Sequence, residues 1–165
     1  MILGVISDTH LDGVTMAFLE LLAVPLGKAE VLIHAGDHTG TRIVDHLELV
    51  DPRPYYGVAG NMDLGEVAKR LPREQTITLE GFTIGIVHGW GAPEGMRARV
   101  AARFDPLPDI VIFGHSHKPL IERVGKTLFV NPGSPFDKRW APTRTAALVE
   151  LCPGGPHARL VDLGR

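Results

Sequence analysis

Five short apolar, β-prone runs in this chain each stop on a polar cluster. Met1 to Ile6 runs into Ser7-Asp8-Thr9-His10, and Glu30 to His34 closes on Ala35-Gly36-Asp37. Tyr55 to Ala59 closes on Gly60-Asn61-Met62-Asp63, and Phe82 to Val87 on His88-Gly89. Asp109 to Phe113 ends on Gly114-His115-Ser116-His117. Runs this apolar read as buried strands. A carboxylate and an imidazole at the end of a buried strand need a partner, because burying an unpaired charge is costly. A metal ion is the obvious partner for Asp8 and His10, so the fold must supply further ligands.

The segments between the runs set the topology. Val14 to Ala23 has helical spacing and stops before Pro25, and Thr41 is a plausible N-cap for a helix through Leu49 with Ile43, Leu47 and Val50 inward. Strand and helix thus alternate early, which predicts a parallel sheet with right-handed crossovers. Later the pattern changes. Gln75 to Glu80 and Phe82 to Val87 read as a hairpin about Gly81, followed by a helix from Glu94 to Phe104. Leu120 to Val124 pairs with Thr127 to Val130 across Gly125-Lys126. Thr145 to Leu151 and Ala158 to Leu163 form a closing hairpin around Pro153-Gly154-Gly155-Pro156. Two sheets packed face to face, with helices outside, satisfy both halves.

At 165 residues the chain suits a single domain, residues 1–165, with a sizeable core. The formal net charge of −2 gives no reason to expect stable nucleic-acid binding or attraction to an acidic membrane. No apolar run approaches the roughly 18 residues of a membrane span. Cys152 is the only cysteine and no signal-peptide pattern opens the chain, so a cytoplasmic location is expected.

Open α/β sheets bind ligands at the carboxyl ends of their strands. The clusters there offer Asp8, His10, Asp37, Asn61, His88, His115 and His117. Asp-x-His and His-x-His spacings put alternate side chains on one side of an extended segment, so each pair can serve one place. Any one cluster alone has an ordinary reading: a strand-end His is commonly structural, and Gly-Asp and Gly-Asn are turn signals. Their joint occurrence favours a metal site. The mixed oxygen and nitrogen set suits Mn, Fe, Co, Ni or Zn. Seven ligands exceed one ion's coordination but fit two ions if one carboxylate bridges.

These blocks, in order and rough spacing, resemble the calcineurin-like metallophosphoesterases. The short length, the Ser-Asp-Thr-His start and the Asn131-Pro132-Gly133-Ser134 loop resemble the family's small bacterial and archaeal phosphodiesterase branch. The resemblance implies an α/β fold of the α+β kind, a four-layer αββα sandwich in which two mixed β-sheets are flanked by helices. It implies two divalent transition-metal ions, one held by Asp8, His10, Asp37 and His117, the other by Asp37, Asn61, His88 and His115. Asp37 would bridge, and Asp63 would orient neighbours without binding metal. Much of the family has His after the Asn of the third block; here that residue is Met62, which donates no proton.

The charges then suggest a reaction. Two divalent ions and two carboxylates leave about +2, which suits one bridging hydroxide and a phosphodiester monoanion, with in-line attack between the ions. The expected substrate is a small phosphodiester. His38, beside Asp37, is a candidate stand-in acid, weighed against a structural or solvent-exposed role. His34 is expected in the core, His46 mid-helix and exposed, and His157 at the surface. Arg139 and Arg144, beyond the Asn-Pro-Gly-Ser loop, could reach a phosphate, but a solvated role is expected. Trp90, Phe136 and Trp140 are candidates for an aromatic wall or for a subunit interface, and a homodimer is plausible. Two other readings are a non-catalytic interaction scaffold on the same fold and a structural zinc protein. The lack of cysteine ligands argues against the latter.

Overall fold

The computed structural model describes residues 1–165. The apolar runs form strands where expected. Strands β1 (Ile2–Ile6), β2 (Val31–His34) and β3 (Tyr55–Gly57) are parallel neighbours, with Leu3 opposite Val31 and Ile6 opposite His34. β4 (Glu74–Leu79) and β5 (Phe82–Val87) are an antiparallel hairpin, and β6 (Ile110–Ile112) lies parallel to β5. β7 (Leu120–Val124) and β8 (Thr127–Asn131) pair antiparallel, with β8 parallel to β6. β9 (Thr145–Cys152) and β10 (Gly155–Asp162) close the chain, and β9 returns antiparallel to β1. The result is two mixed five-stranded sheets, ordered β10-β9-β1-β2-β3 and β4-β5-β6-β8-β7.

Alternation along the strands sorts residues into layers. Leu3, Val5 and Ile33 point inward and meet Ile84, Ile86, Ile110, Ile112 and Val130 of the second sheet. Ile6, Leu32 and Leu148 point outward, onto Phe18, Leu21 and Leu22 of helix α1 (Met16–Ala23) and Ile43 of α2 (Thr41–Asp45). On the far side Val87, Val111, Phe113 and Phe129 cover Met96 and Val100 of α4 (Met96–Ala101). Helix, sheet, sheet, helix is the four-layer order that the pattern implies. No helix is long and apolar enough to cross a membrane.

The helices depart from expectation more than the strands do. α1 starts at Met16, where the Thr15 hydroxyl accepts the Phe18 N–H at 3.1 Å. Gly40, not Thr41, caps α2, and from His46 to Val50 the helix widens into a π-helical turn. That turn shifts the phase of the helix, so Leu47 stays buried while Val50 is 66% exposed. α4 is six residues, shorter than the expected helix from Glu94 to Phe104. A one-turn helix, α3 (Gly65–Arg70), was not expected; it buries only Val67. β10 begins at Gly155 instead of Ala158, because a two-residue Pro153-Gly154 loop lets pairing start at once, Gly155 opposite Cys152.

Candidate metal centre

β1, β2 and β3 of one sheet and β5 and β6 of the other all end at the same edge. Their trailing residues meet there because glycines in the other four clusters leave room around Asp8 and His10 and around one another. A Cβ on Gly114 would lie 1.8 Å from the Ser7 hydroxyl, and one on Gly60 would lie 2.1 Å from Asp37 Oδ1.

Each carboxylate is anchored by one oxygen and presents the other. Asp8 Oδ2 accepts from Ser7 Oγ (2.6 Å) and His115 N (3.0 Å). Asp8 Oδ1 has no hydrogen-bond partner and lies 3.3 Å from His117 Nε2, 3.8 Å from His88 Nε2 and 4.0 Å from His10 Nε2. Asp37 Oδ1 accepts from Met62 N at 2.7 Å. Asp37 Oδ2 faces His88 Nε2 at 3.3 Å and His10 Nε2 at 3.7 Å. Asp37 therefore stands between two groups of nitrogen donors.

Main-chain carbonyls, which can only accept, set the tautomers of three imidazoles. His88 Nδ1 donates to Ala35 O at 2.7 Å, and His117 Nδ1 donates to Asp137 O. In the neutral rings, the form that binds metal, their Nε2 lone pairs then point into the cluster. His115 is reversed: Nε2 donates to Gly91 O (3.1 Å), leaving Nδ1 beside Asn61 Oδ1 at 2.8 Å. Asn61 Oδ1 is also 3.2 Å from His88 Nε2, and His10 Nε2 is 3.2 Å from His117 Nε2. All seven candidate ligands therefore converge. Ligand atoms of Asp8, His10 and His117 form one group that could hold an ion, and those of Asp8, Asp37 and His88 another.

The electrostatics fit a cation. Burial pushes the Asp8 carboxyl up to about 6, against the His88 charge and the Ser7 hydrogen bond. Burial pushes Asp37 up too, but hydrogen bonding and charge from His88, with the Met62 N–H, hold it below the usual carboxylate range. Burial lowers His10, His115 and His117, favouring neutral rings. His88 is pushed down by burial and raised further by Asp37 and Asp8. An unpartnered buried carboxylate oxygen ringed by imidazole nitrogens suits a hard-to-borderline divalent ion.

Asp63 lies behind Asp37. Its Oδ2 accepts from Asp37 N (2.9 Å) and Gly60 N (2.8 Å), and its Oδ1 from Thr39 N (2.8 Å). The sequence reading offers His38 as an acid, and here the structure corrects it. His38 is fully buried, its Nδ1 donates to Asp63 Oδ2 (3.2 Å), and its Nε2 accepts from the Tyr55 hydroxyl at 2.6 Å. Both ring nitrogens are engaged, so His38 braces Asp63 and has no proton to offer a leaving group. His34 is buried as expected, stacked on His38 at 3.6 Å and bonded to Thr9 Oγ1 at 3.0 Å. His46 is half-buried against Phe18, and His157 is exposed.

The aromatic trio does not form one wall. Trp90 stands next to Asn61 and His88, Phe136 packs in a groove beside α1, and Trp140 is fully exposed. Arg139 pairs with Asp137, whereas Arg144 is partly buried against the Leu163 carbonyl. Cys152 bonds Gly155 O in the last hairpin, far along β9 from the cluster. Sequence reasoning missed Tyr55 and the carbonyls of Ala35, Gly91 and Asp137. It also missed how the Asn-Pro-Gly-Ser loop acts: Ser134 Oγ donates to Asp8 O at 2.7 Å, and Asn131 Nδ2 to Gly114 O at 2.8 Å.

The sequence profile of the calcineurin-like phosphoesterase superfamily domain matches residues 1–154. The chain belongs to this superfamily. A probable metallophosphoesterase of Methanothermobacter thermautotrophicus is 34% identical over 138 residues, 82% of this chain and 77% of that protein. One from Methanocaldococcus jannaschii is 34% identical over 137 residues, covering 82% and 68%. Among solved structures, a Thermotoga maritima protein matches with a TM-score of 0.71 at 32% identity, covering 98% of this chain and 99% of that one. Vps29 of Entamoeba histolytica, solved with zinc, matches at 0.69 and 26% over 99% and 100%. An archaeal phosphodiesterase matches at 0.75 over 98% and 100%; at 20% identity this likeness shows the fold alone. Membership places the chain in a superfamily of hydrolases that act on phosphoester bonds with bound metal, and the chain carries residues suited to bind metal.

Proposed function

We propose that this phosphoesterase hydrolyses small phosphodiesters using two divalent ions drawn from Mn, Zn, Ni, Fe and Co. The observation that supports this most is the unpartnered Asp8 Oδ1 among three inward-facing imidazole nitrogens, with Asp37 shared between donor groups. Asp8, His10, Asp37 and His117 would hold one ion; Asp37, Asn61, His88 and His115 would hold the other. Ions held by these residues would polarise phosphoryl oxygens and lower the pKa of bound water, chemistry that suits in-line attack on a diester. The chain's part is to fix the ligands: Ala35, Gly91 and Asp137 carbonyls orient three rings, and Asp63 holds the backbone of Asp37 and Gly60. Neither Met62, which has no proton to donate, nor His38, which is engaged elsewhere, supplies an acid beside Asn61. The leaving group is then protonated by solvent, which favours diesters with good leaving groups.

A metal-by-substrate screen tests this reading. With Mn or Zn restored, bis(p-nitrophenyl) phosphate turnover should appear and should vanish in Asp37→Ala, with metal content by mass spectrometry falling in parallel. A protein that binds both ions yet cleaves no ester would overturn it and favour an interaction scaffold, a reading that the likeness to Vps29 supports.

A further inference from the structure

A cavity of about 280 Å³ opens directly beside Asn61 and His88. It falls just below the roughly 300–1,000 Å³ of pockets that enclose a drug-sized ligand, so it suits one ring system and its linker. Two arginines line it, in different states. Arg103 is spent on Glu74, with bonds of 2.6 and 2.7 Å to the two carboxylate oxygens. Arg73 pairs with no carboxylate; its one contact is a long 3.5 Å bond to Gly60 O. The cavity thus holds one guanidinium with donors to spare on a chain of slight negative charge.

Trp90, a large apolar ring left 43% exposed, also lines the cavity. Its backbone is fixed from behind. Arg99 of α4 donates to Trp90 O (3.0 Å), to Glu94 O (2.8 Å) and to Ala92 O, so one side chain ties down the whole turn. A flat aromatic surface held on a clamped loop is a preorganised stacking platform. Stacking is sequence-tolerant, because every base has a π-face, and a free guanidinium binds phosphate oxygens strongly.

We propose that this cavity takes a nucleotidyl arm of the diester, with the base against Trp90 and a further phosphate on Arg73. The inference rests on the phosphodiesterase reading above and adds the substrate class to it: short nucleotides carrying a second anionic group. The phosphorus under attack would lie at the metal-ligand cluster, which the cavity adjoins through Asn61 and His88.

The test uses three p-nitrophenyl diesters that share a leaving group and differ in the other arm: methyl, thymidin-5′-yl, and the thymidin-5′-yl ester bearing a 3′-phosphate. The wild-type order of kcat/KM should be the last above the second above the first. Trp90→Ala should cut the thymidyl-to-methyl ratio by roughly 10-fold, and Trp90→Phe should retain most of it, as the worth of a base stack predicts. Arg73→Gln should remove the advantage of the 3′-phosphate by about 10-fold, the scale of a charged hydrogen bond, while keeping the thymidyl-to-methyl ratio. Binding is read separately. In Trp140→Phe, Trp90 is the only remaining tryptophan, and thymidine 3′,5′-bisphosphate should quench it saturably while inorganic phosphate does not. Equal rates for the three esters, or ratios unmoved in Trp90→Ala, would overturn the proposal. If no ester is cleaved at all, the phosphodiesterase reading fails, and the quenching titration alone decides the cavity: saturation supports it and a flat signal refutes it.

Discussion

Gly57 and Tyr55 sit two apart on β3, and the tyrosine ring folds back over the glycine. A Cβ on Gly57 would lie 1.9 Å from the Tyr55 hydroxyl and 2.5 Å from Cζ. That hydroxyl donates to His38 Nε2 at 2.6 Å, and burial holds its pKa well above 10, so it stays a donor. Gly57→Ala must therefore push the ring aside and break the bond. Displacing a packed side chain costs about 1–3 kcal/mol. Leaving a buried imidazole nitrogen without its donor costs about 1–3 kcal/mol more. Replacing a strand glycine returns roughly 0.5–1 kcal/mol, so the expected net loss is about 1–5 kcal/mol.

The same substitution should reverse sign once the ring is gone. The three atoms nearest the new Cβ all belong to Tyr55 beyond its Cγ, so Tyr55→Val removes the nearest obstacle while keeping a strand-forming residue. In that background Gly57→Ala should stabilise by about 0.5–1 kcal/mol. In Tyr55→Phe, which keeps Cζ, it should still destabilise. Urea unfolding of chelator-treated protein, analysed as a double-mutant cycle, reads these terms. An equal cost of Gly57→Ala in all three backgrounds would refute the argument.

Asp63→Asn should lower metal affinity about 10- to 100-fold by isothermal titration, because an outer partner of Asp37 is lost, and Tyr55→Phe should act in the same direction more weakly. The Asp51 carboxyl is held below the usual range by hydrogen bonds to Arg53 that outweigh burial, so its contribution is full above an unfolded pKa of about 3.9 and fades as pH falls below that. Asp51→Asn should cost on the order of 1–2 kcal/mol at pH 7 and less than half of that at pH 3, by urea midpoints. Manganese at 100 times its Kd should stabilise the fold by about 2.7 kcal/mol per site, a melting rise of roughly 5–10 °C that a chelator reverses; an unchanged melt would count against ion binding. Met62→His should raise monoesterase relative to diesterase turnover, since it restores a proton donor next to Asn61.

The strands were legible because each is an apolar run with a sharp polar end, and a run of that kind has only one way to be buried. The helices were less so because they are short and lean on the sheets. Val67 alone marks α3, and Val50 reads as part of an inward stripe with Ile43 and Leu47 but faces solvent after the π turn. In the site, the donor side chains could be read, since Asp, His and Asn carry their chemistry in their identity. What orients them could not. The carbonyls that set the tautomers of His88, His115 and His117 belong to alanine, glycine and aspartate backbones, where the residue type carries no signal. Adjacency to Asp37 could not decide between the acid and the structural role of His38, because it says nothing about direction: Asp37 has a left-handed backbone, and the His38 ring ends on Asp63 and Tyr55.

That left-handed backbone recurs, and where it recurs matters. Eight non-glycine residues have positive φ, and five of them are candidate ligands: Asp8 (56°), His10 (48°), Asp37 (57°), His115 (68°) and His117 (56°). Each such residue costs on the order of 1–2 kcal/mol relative to the right-handed region. Local preference therefore opposes the geometry at five ligands, and burial opposes the charge on Asp8. These costs are met by long-range bonds that tie one loop to another: Asp8 N to Gly36 O (2.9 Å), His10 N to Asp37 O (3.1 Å), and the Ser134 hydroxyl to Asp8 O (2.7 Å). A fold selected for stability alone would place glycine or asparagine at those turns and an apolar side chain at position 8. Strain and an unpartnered carboxylate oxygen coincide at one strand edge, where a bound cation would offset the electrostatic part and only ligand geometry justifies the rest.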